Sequence, residues 1–311
     1  MRARTGARHP AGVDMHAGQL AVSLSTVCEL VGAQFPAWRH LTVTAVQPAG
    51  TVNAIFRIGD GFAARFPLRA ADAASVRRRL ESEAAAVRGL AGRTRFATPE
   101  PVAIGEPGAG YPLPWAVQTW LPGVTAAEDD PGGSVAFAHD LAEFISGVRA
   151  IGTGGRAFSG HGRGGDLRSH DRWMQTCFER SGRLLDVPRL RRMWAAMRDL
   201  PRGAAGDVMS HGDLIPGNLI VSAGRLAGIL DAGDTGPADP SLDLVAAWHL
   251  LEDEPRQALR DDLGCGGLEW ERGRAWAFEQ AMGLVWYYAD SNPAISRMGR
   301  RTLDRIQASP P

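Results

Sequence analysis

The segment at residues 211–218, with the sequence HGDLIPGN, constrains this chain most, because its polar side chains lead directly into a predicted hairpin. An apolar strand comes next, residues 222–224 favour a tight turn because glycine accepts positive φ, and a second apolar strand ends at Asp231. Pairing of the two strands returns Asp231 to the side of Asn218, and Asp213 precedes the first strand. We therefore expect these three oxygen-bearing side chains to converge at one end of a hairpin.

Phosphoryl transfer requires such a set of side chains. The attacking hydroxyl must be oriented and relieved of its proton, while Mg²⁺, which prefers oxygen ligands, holds the nucleotide phosphates. We predict that Asp213 performs the first task and that Asn218 and Asp231 bind Mg²⁺. The alternative is a hairpin whose Asp and Asn side chains only cap turns, as these residue types often do.

The spacing of these residues carries a resemblance to a known family. An Asp, four residues, an Asn and a second Asp beyond a hairpin follow the protein-kinase pattern, although the loop begins His-Gly-Asp instead of His-Arg-Asp. Residues 231–234 (DAGD), Asp239 before a proline, and Asp243 complete the set. The chain thus resembles the aminoglycoside phosphotransferases and related kinases of small-molecule hydroxyls, in which an acid at the place of Asp243 supports the catalytic loop.

The resemblance covers nearly the whole chain and implies an α+β fold with two lobes, like that of protein kinases. A small antiparallel β-sheet would form the N-lobe, and the C-lobe would be mainly helical. A chain of 311 residues is long enough for two lobes. We expect a disordered tail over residues 1–16, the nucleotide-binding lobe over 17–118, and the catalytic and acceptor-binding lobe over 119–311.

Three strand-like runs in the predicted N-lobe, at 41–47, 53–58 and 61–67, are separated by turns rich in Gly and Pro. The first of these turns takes the place of the glycine-rich loop that covers the phosphates in kinases, although it lacks the repeated glycines. Thr51 or Asn53 could contact the nucleotide there. An ordinary hairpin loop is the alternative.

Arg65 falls on the third of these strands, where the resembling kinases carry a phosphate-binding lysine. Arginine supplies the same fixed positive charge, and this chain contains no lysine. A predicted helix over 71–91 places Glu83 in the centre of an apolar stripe, where an unpaired carboxylate would be costly. We therefore predict an ion pair of Arg65 with Glu83 beside the nucleotide phosphates. The alternatives are a solvated arginine at a strand edge and a glutamate that reaches water.

An apolar strand that runs into a Pro-Gly break at residues 122–123 is typical of a hinge between two lobes. In the resembling family the hinge backbone binds the nucleotide base, which implies that Thr119, Trp120 and Leu121 lie near it. Because backbone groups do the binding, side chains do not distinguish ATP from GTP.

Composition limits the partners and the location. A formal net charge of zero argues against a nucleic-acid or membrane-surface protein, and the chain lacks an apolar run of about twenty residues, the length of a membrane helix. Its three widely spaced cysteines have no metal-ligand spacing and favour reduced thiols in a cytoplasmic protein. Small molecules are therefore the expected partners, without nucleic acid or membrane.

The acceptor is the least determined partner. Residues 252–290 contain nine acidic residues and four arginines, and in the resembling enzymes carboxylates of the C-terminal helices attract polycationic aminoglycosides. Acidic helix faces are also often simply solvated. We predict transfer of the γ-phosphoryl group of ATP or GTP to a hydroxyl of a small molecule, foremost an aminoglycoside or another antibiotic. The alternatives are a kinase of a metabolite such as an amino alcohol or sugar, and a nucleotide-binding regulator without turnover.

Overall fold

The computed structural model describes residues 19–46, 52–203 and 206–309, which form an α+β fold. The strands are β1 Val43–Ala45, β2 Asn53–Ile58, β3 Phe62–Pro67, β4 Pro101–Gly105, β5 Trp115–Thr119, β6 Val124–Thr125, β7 Val208–Ser210, β8 Leu219–Ser222, β9 Arg225–Ile229 and β10 Gly236–Ala238. The α-helices are α1 Leu24–Gln34, α2 Ala73–Leu90, α3 Val135–Arg149, α4 Asp171–Arg180, α5 Val187–Met197, α6 Val245–His249, α7 Asp253–Leu263, α8 Gly267–Tyr287 and α9 Pro293–Ala308. Within these ranges, no helix combines the length and apolar character that crossing a bilayer requires. The predicted tail at 1–16 lies outside the described residues.

The first part of the chain forms a five-stranded antiparallel sheet with the strand order β1-β2-β3-β5-β4. The pairing of β2 with β3 is continuous from Asn53 opposite Pro67 to Ile58 opposite Phe62. Gly59 in the connecting turn has φ +53°, which glycine adopts without a steric penalty. The predicted small antiparallel sheet is therefore confirmed.

Helix α2 lies against this sheet. Its first turn is capped by Asp72, whose side chain accepts a hydrogen bond from the Ser75 N–H at 2.8 Å. Val76 and Leu80 are buried on one face and belong to the same hydrophobic cluster as the inner residues of the sheet. The helix also contacts the turn at residues 232–234, and it thereby brings Glu83 near the end of the hairpin of β8 and β9.

Two clusters of buried hydrophobic residues form the core. In the first, Trp115 stacks on Phe66 with ring centroids 4.7 Å apart, and a Cβ at Gly105 would lie 2.2 Å from the Trp115 ring, so that only glycine fits there. The second surrounds α3 and α8, with Trp276 and Phe278 fully buried. This division agrees with two lobes, and the boundary at residue 118 stays a prediction.

The hairpin of β8 and β9 has the predicted form. Ala223 and Gly224 form its two-residue turn with φ of +51° and +71°, as a type I′ turn requires, and Ser222 pairs with Arg225. At the open end of the hairpin the Leu230 N–H donates to the Asn218 carbonyl at 2.7 Å. The hairpin therefore brings the residue that precedes Asp231 into contact with the end of the catalytic loop.

Candidate active site

The predicted catalytic loop, residues 211–218, follows β7, and Asp243 holds its first residues in place. This buried carboxylate accepts three hydrogen bonds, from the Ser210 hydroxyl at 2.8 Å and from the N–H groups of His211 and Gly212 at 2.9 Å each. Gly212 has φ +84°, a conformation that side chains other than glycine's disfavour. The glycine of the His-Gly-Asp sequence is therefore a backbone requirement, and Asp243 has the supporting place that the resemblance implies.

His211 joins the catalytic loop to the strand that leads to Asp231. Its ring is fully buried, Nε2 lies 3.1 Å from the Leu230 carbonyl, and Nδ1 accepts the Asp213 N–H at 3.3 Å. These partners assign Nε2 as the donor to the Leu230 carbonyl. The histidine thus fixes the spacing between the loop and the end of the hairpin.

Three donors surround the Asp213 carboxylate, which keeps 35% of its side chain exposed. Oδ1 accepts from Arg163 Nη2 and Gln280 Nε2, both at 2.8 Å, and Oδ2 accepts from Asn218 Nδ2 at 3.2 Å. Burial by itself would raise the pKa of Asp213, but the charge of Arg163 and these hydrogen bonds hold the pKa below its usual value. The carboxylate is therefore ionised at neutral pH.

Gln280 is oriented by a second buried residue. Its Oε1 lies 3.0 Å from Nε2 of His249, whose Nδ1 lies 2.9 Å from the Thr302 hydroxyl. Burial lowers the pKa of His249 to about 4, so its ring is neutral. Because the ionised Asp213 carboxylate only accepts hydrogen bonds, the Gln280 amide nitrogen points to Asp213 and its Oε1 faces the His249 ring.

The two predicted metal ligands lie at the same end of the hairpin. Asn218 Nδ2 donates to the Asp213 carbonyl at 2.9 Å and to its carboxylate, and Asn218 Oδ1 has no hydrogen bond to any described residue, so it could bind a cation. Asp231 is 52% exposed and adopts φ +56°, a left-handed conformation that Asp tolerates better than most residues. Among the described residues no group of three or more His, Cys, Asp or Glu could hold a metal. One carboxylate and one amide oxygen fit Mg²⁺, which takes its remaining ligands from phosphates and water.

The predicted pair of Arg65 and Glu83 is present but long. Arg65 Nη1 lies 3.9 Å from Glu83, whereas Arg65 Nη2 lies 2.6 Å from Asp231, and Arg79 approaches Glu83 at 3.3 Å. Burial raises the pKa of Glu83 more than the two arginines lower it. Arg65 therefore bridges a helix carboxylate and a predicted metal ligand, a contact with Asp231 that the sequence analysis did not foresee.

The three predicted hinge residues differ in their free backbone groups. The Thr119 N–H donates to the Glu100 carbonyl at 2.9 Å, and the Trp120 N–H donates to the Gly61 carbonyl at 2.8 Å. The Leu121 N–H has no hydrogen bond to any residue that the structure describes. Of the three, Leu121 has the backbone donor that a nucleotide base could use, and this role stays a prediction.

The two residues predicted to touch nucleotide from the first turn have different outcomes. Asn53 begins β2 opposite Pro67, and Ile55, two residues on, lies opposite Arg65. Because opposed and alternate residues share a face of a sheet, Asn53 is on the Arg65 face. Thr51 lies outside the described residues. Their contact with nucleotide stays a prediction.

An open cavity of about 410 Å³ lies between the glycine-rich segment around residue 161 and the helices α4 and α8. It is lined by Gly160, His161, Gly162, Ser169, His170, Trp173 and Glu279, neighbours in sequence of Arg163 and Gln280. Of the nine acidic residues at 252–290, Glu279 is the one in this lining, and His170 contacts it at 2.9 Å. Burial opposes protonation of His170, but the contact with Glu279 raises its pKa. The acidic residues do not form a continuous carboxylate surface in this lining.

A cavity of about 180 Å³ lies between α2, β4 and β5. Arg65, Glu83 and Asp231 line it, whereas the catalytic loop does not. It is adjacent to the ion-pair cluster and distinct from the space in front of Asp213 in which a hydroxyl would react.

Two residues at the centre of the site were missed by the sequence analysis. Arg163 lies in a glycine-rich segment that has no periodic pattern, so nothing local assigns it to Asp213. Gln280 is an uncharged polar residue in the buried part of helix α8, and a buried polar residue needs a partner. That second signal was available in the sequence.

Comparison with known sequences identifies relatives of this chain. A model of the phosphotransferase enzyme family matches residues 44–276. An aminoglycoside 3'-phosphotransferase of Escherichia coli is 38% identical over 61 residues, which are 20% of this chain and 22% of that protein. A second one, of Salmonella typhimurium, is 37% identical over 59 residues, 19% of this chain and 22% of that protein. The chain therefore spans only 22% of the length of these curated relatives.

Solved structures confirm the kinase-like fold. The GDP complex of wild-type aminoglycoside 2'-phosphotransferase-IIIa superposes with a TM-score of 0.68 at 18% identity, over 90% of this chain and 97% of that chain. The macrolide 2'-phosphotransferase MphH of Brachybacterium faecium gives 0.58 at 19% identity, over 89% and 98%. Likeness at these identities shows the fold alone. Because the family match covers most of its length, this chain belongs to the phosphotransferase enzyme family.

Proposed function

We propose that the protein transfers the γ-phosphoryl group of ATP or GTP to a hydroxyl of a small molecule, an aminoglycoside or another antibiotic. One observation carries the proposal: an ionised Asp213 carboxylate stands in one loop with Asn218, at the hairpin end that carries Asp231. Structural relatives are described as complexes with GDP, with GDP and kanamycin, and with ADP. These descriptions support a nucleotide donor and an antibiotic acceptor.

The hydrogen bonds of Asp213 indicate where the acceptor hydroxyl binds. A carboxylate oxygen has two lone-pair sites, and Oδ1 already accepts from Arg163 and Gln280. Among the residues that the structure describes, Oδ2 accepts only from Asn218, so one site remains. The hydroxyl donates to Oδ2, its oxygen bonds to the γ-phosphorus as the bond to the nucleoside diphosphate oxygen breaks, and Asp213 takes the proton.

Asn218 and Asp231 would hold Mg²⁺, which neutralises charge on the nucleotide phosphates when it is bound. Arg65 would then exchange Asp231 for a phosphate oxygen, because the guanidinium cannot share that carboxylate with a cation without cost. Glu83 would keep Arg65 at the site during this exchange. We place the activity in the cytoplasm, where nucleoside triphosphates are available and free cysteines are expected.

A nucleotide-binding regulator without turnover is the rival function. It is favoured by the 2.6 Å contact of Arg65 with Asp231, which occupies a predicted metal ligand in this structure. The two functions differ in one observable outcome, since only the enzyme phosphorylates an acceptor.

The test is mass spectrometry of an acceptor panel incubated with the protein, Mg²⁺ and either ATP or GTP. Aminoglycosides, macrolides, nucleoside antibiotics, amino alcohols and sugars make up the panel. One acceptor should gain a phosphoryl group, and the identity of that acceptor and of the productive nucleotide completes the assignment. Nucleotide binding without any phosphorylated product would support the regulator instead.

Two alanine variants make the test specific. Asp213→Ala should lower kcat by about 100- to 10,000-fold, the usual contribution of a general base, and should leave nucleotide binding intact. Asp199→Ala removes an exposed carboxylate paired with Arg168 and serves as the matched control, with activity equal to wild type. Retained turnover in Asp213→Ala would contradict the role of Asp213.

A further inference from the structure

Arg163 is a cation in direct contact with Asp213. Its Nη2 donates to Asp213 Oδ1 at 2.8 Å and lies 3.4 Å from the Gly212 carbonyl. The side chain is 23% exposed, and its Nε and Nη1 groups have no hydrogen bond to any described residue. Three of the five guanidinium hydrogens are therefore available to a ligand beside Asp213.

The backbone on both sides of Arg163 is fixed by well-buried groups. The Gly162 carbonyl lies 3.1 Å from His170 Nε2, and the Gly164 carbonyl accepts the Asp239 N–H at 2.8 Å. One residue further, the Gly165 carbonyl accepts from Arg272 Nη2 at 2.9 Å. Arg272, which is 1% exposed, is itself held by a buried salt bridge to Asp239. Hydrogen bonds to the backbone therefore fix the loop that carries Arg163.

Gly164 shows that this loop conformation is demanding. Its φ is +110°, a value that residues with a side chain rarely adopt. A Cβ there would lie 2.7 Å from the Cβ of Ala238 and 3.1 Å from Leu242, closer than packing allows. Gly164 therefore packs closely against Ala238, the last residue of β10, and against Leu242. The loop conformation that brings Arg163 to Asp213 therefore requires a glycine at position 164.

The loop that carries Asp213 has no cationic side chain of its own to stabilise a phosphoryl group. Residues 213–218 of the catalytic loop carry no cationic side chain. Arg65 is on the other side, bound to Asp231 and near Glu83. A phosphoryl group in transit between the metal ligands and Asp213 carries negative charge on its oxygens, and fixed donors aimed at that charge accelerate transfer.

We propose that Arg163 is a catalytic residue that binds a non-bridging oxygen of the transferring phosphoryl group. This inference rests on the proposed phosphotransferase function. In the reaction the acceptor oxygen bonds to the γ-phosphorus, the bond to the β,γ-bridging oxygen breaks, and the electron pair of that bond leaves with the nucleoside diphosphate. The hydroxyl proton moves to Asp213 Oδ2. Asp213 then loses its charge, and Arg163 transfers its strongest hydrogen bond to the phosphoryl oxygens.

The test compares two arginines of the same loop. Arg163→Gln should lower kcat by about 100-fold, the usual loss for one fixed transition-state donor, and should change the KM for nucleotide by less than about threefold. Arg156→Gln is the matched control, because Arg156 contacts the Thr153 carbonyl and Met209 instead of Asp213, and it should match wild type.

A sulfur substitution separates contact with the phosphoryl group from an effect through Asp213. In wild type, the γ-thio nucleotide should react more slowly than the normal nucleotide, because sulfur is a weak acceptor for the guanidinium. This ratio should shrink in Arg163→Gln if Arg163 binds a non-bridging oxygen. A residue that only positions Asp213 would leave the ratio unchanged, and that result would overturn the proposal.

The remaining outcomes also decide. A kcat of Arg163→Gln within about threefold of wild type, or an equal loss in Arg156→Gln, contradicts the proposal. If thermal melting shows that Arg163→Gln does not fold, Arg163→Lys takes its place, since it keeps the charge and should still reduce both kcat and the thio ratio. If wild type itself phosphorylates no acceptor, the proposed function fails and this inference fails with it, a case distinct from an active wild type with a neutral Arg163.

Discussion

Replacing Asp243 with Asn tests what holds the catalytic loop. The carboxylate is 1% exposed and accepts from the Ser210 hydroxyl and from the N–H groups of His211 and Gly212. An asparagine has nearly the same shape, and its single oxygen can still accept from Ser210 and Gly212. Its amide hydrogens would then face the His211 N–H, so that two donors meet in a buried place.

The cost can be worked out from these contacts. A buried donor without an acceptor costs about 1–3 kcal/mol, and loss of the charge from the two remaining hydrogen bonds adds about 1 kcal/mol. The free energy of unfolding should therefore fall by about 2–4 kcal/mol. With an unfolding entropy of about 2.1 cal/mol/K per residue over 311 residues, the melting midpoint should fall by about 3–6 °C.

Urea unfolding followed by tryptophan fluorescence, together with a thermal melt, measures this change. The control is Asp60→Asn, which alters a fully exposed carboxylate whose partner Arg57 is itself 37% exposed, and it should change the free energy of unfolding by less than about 1 kcal/mol. Activity of the Asp243 variant should fall as well, because its loop carries Asp213. Equal stability of the two variants would refute the argument that Asp243 supports the loop.

Three further predictions concern the same site. Wild-type kcat/KM should stay constant as the pH falls from neutral into the mildly acidic range, because the pKa of Asp213 lies below its usual value. Gln280→Glu places a second carboxylate beside Asp213 and should raise that pKa, so that, as the pH is lowered, kcat/KM begins to fall at a higher pH than in wild type. Gly233→Ala would put a Cβ 2.8 Å from Glu83 Cγ, and displacement of Glu83 should weaken nucleotide binding by about tenfold in titration calorimetry. Glu83→Gln should retain stability, because burial already disfavours the charge of Glu83. It should weaken nucleotide affinity or turnover, because it releases Arg65, and unchanged kinetics would contradict the role of Glu83 in holding Arg65.

Short-range features of the site could be predicted from the sequence. The two-residue turn at Ala223 and Gly224 sets the register of β8 and β9 beside the turn, and an irregularity between Ile220 and Val221 shifts the pairing by one residue, so that Asn218 contacts the residue before Asp231. The apolar stripe of α2 placed Glu83 correctly on a partly buried face. These elements are encoded by residues a few positions apart, where turn chemistry and helical periodicity act directly.

The acceptor side shows the limit of such reasoning. A net acidic composition at 252–290 suggested a carboxylate-lined pocket, but Glu269 pairs with Arg149 and Glu279 with His170 in the folded chain. Composition counts charges without their partners. Which carboxylates remain free is decided by packing of α8 against elements more than a hundred residues away.

Local sequence brings the candidate catalytic residues together, whereas long-range packing arranges the charges around them. The pattern of Asp213, Asn218 and Asp231 lies within nineteen positions and survives any arrangement of the rest of the chain. The partners of these residues are remote: Arg163 contacts Asp213 across 50 positions, Gln280 contacts it across 67, and Arg65 reaches Asp231 across 166. No local propensity encodes such contacts, because they form only when burial of two hydrophobic cores fixes the loops and helices that carry them.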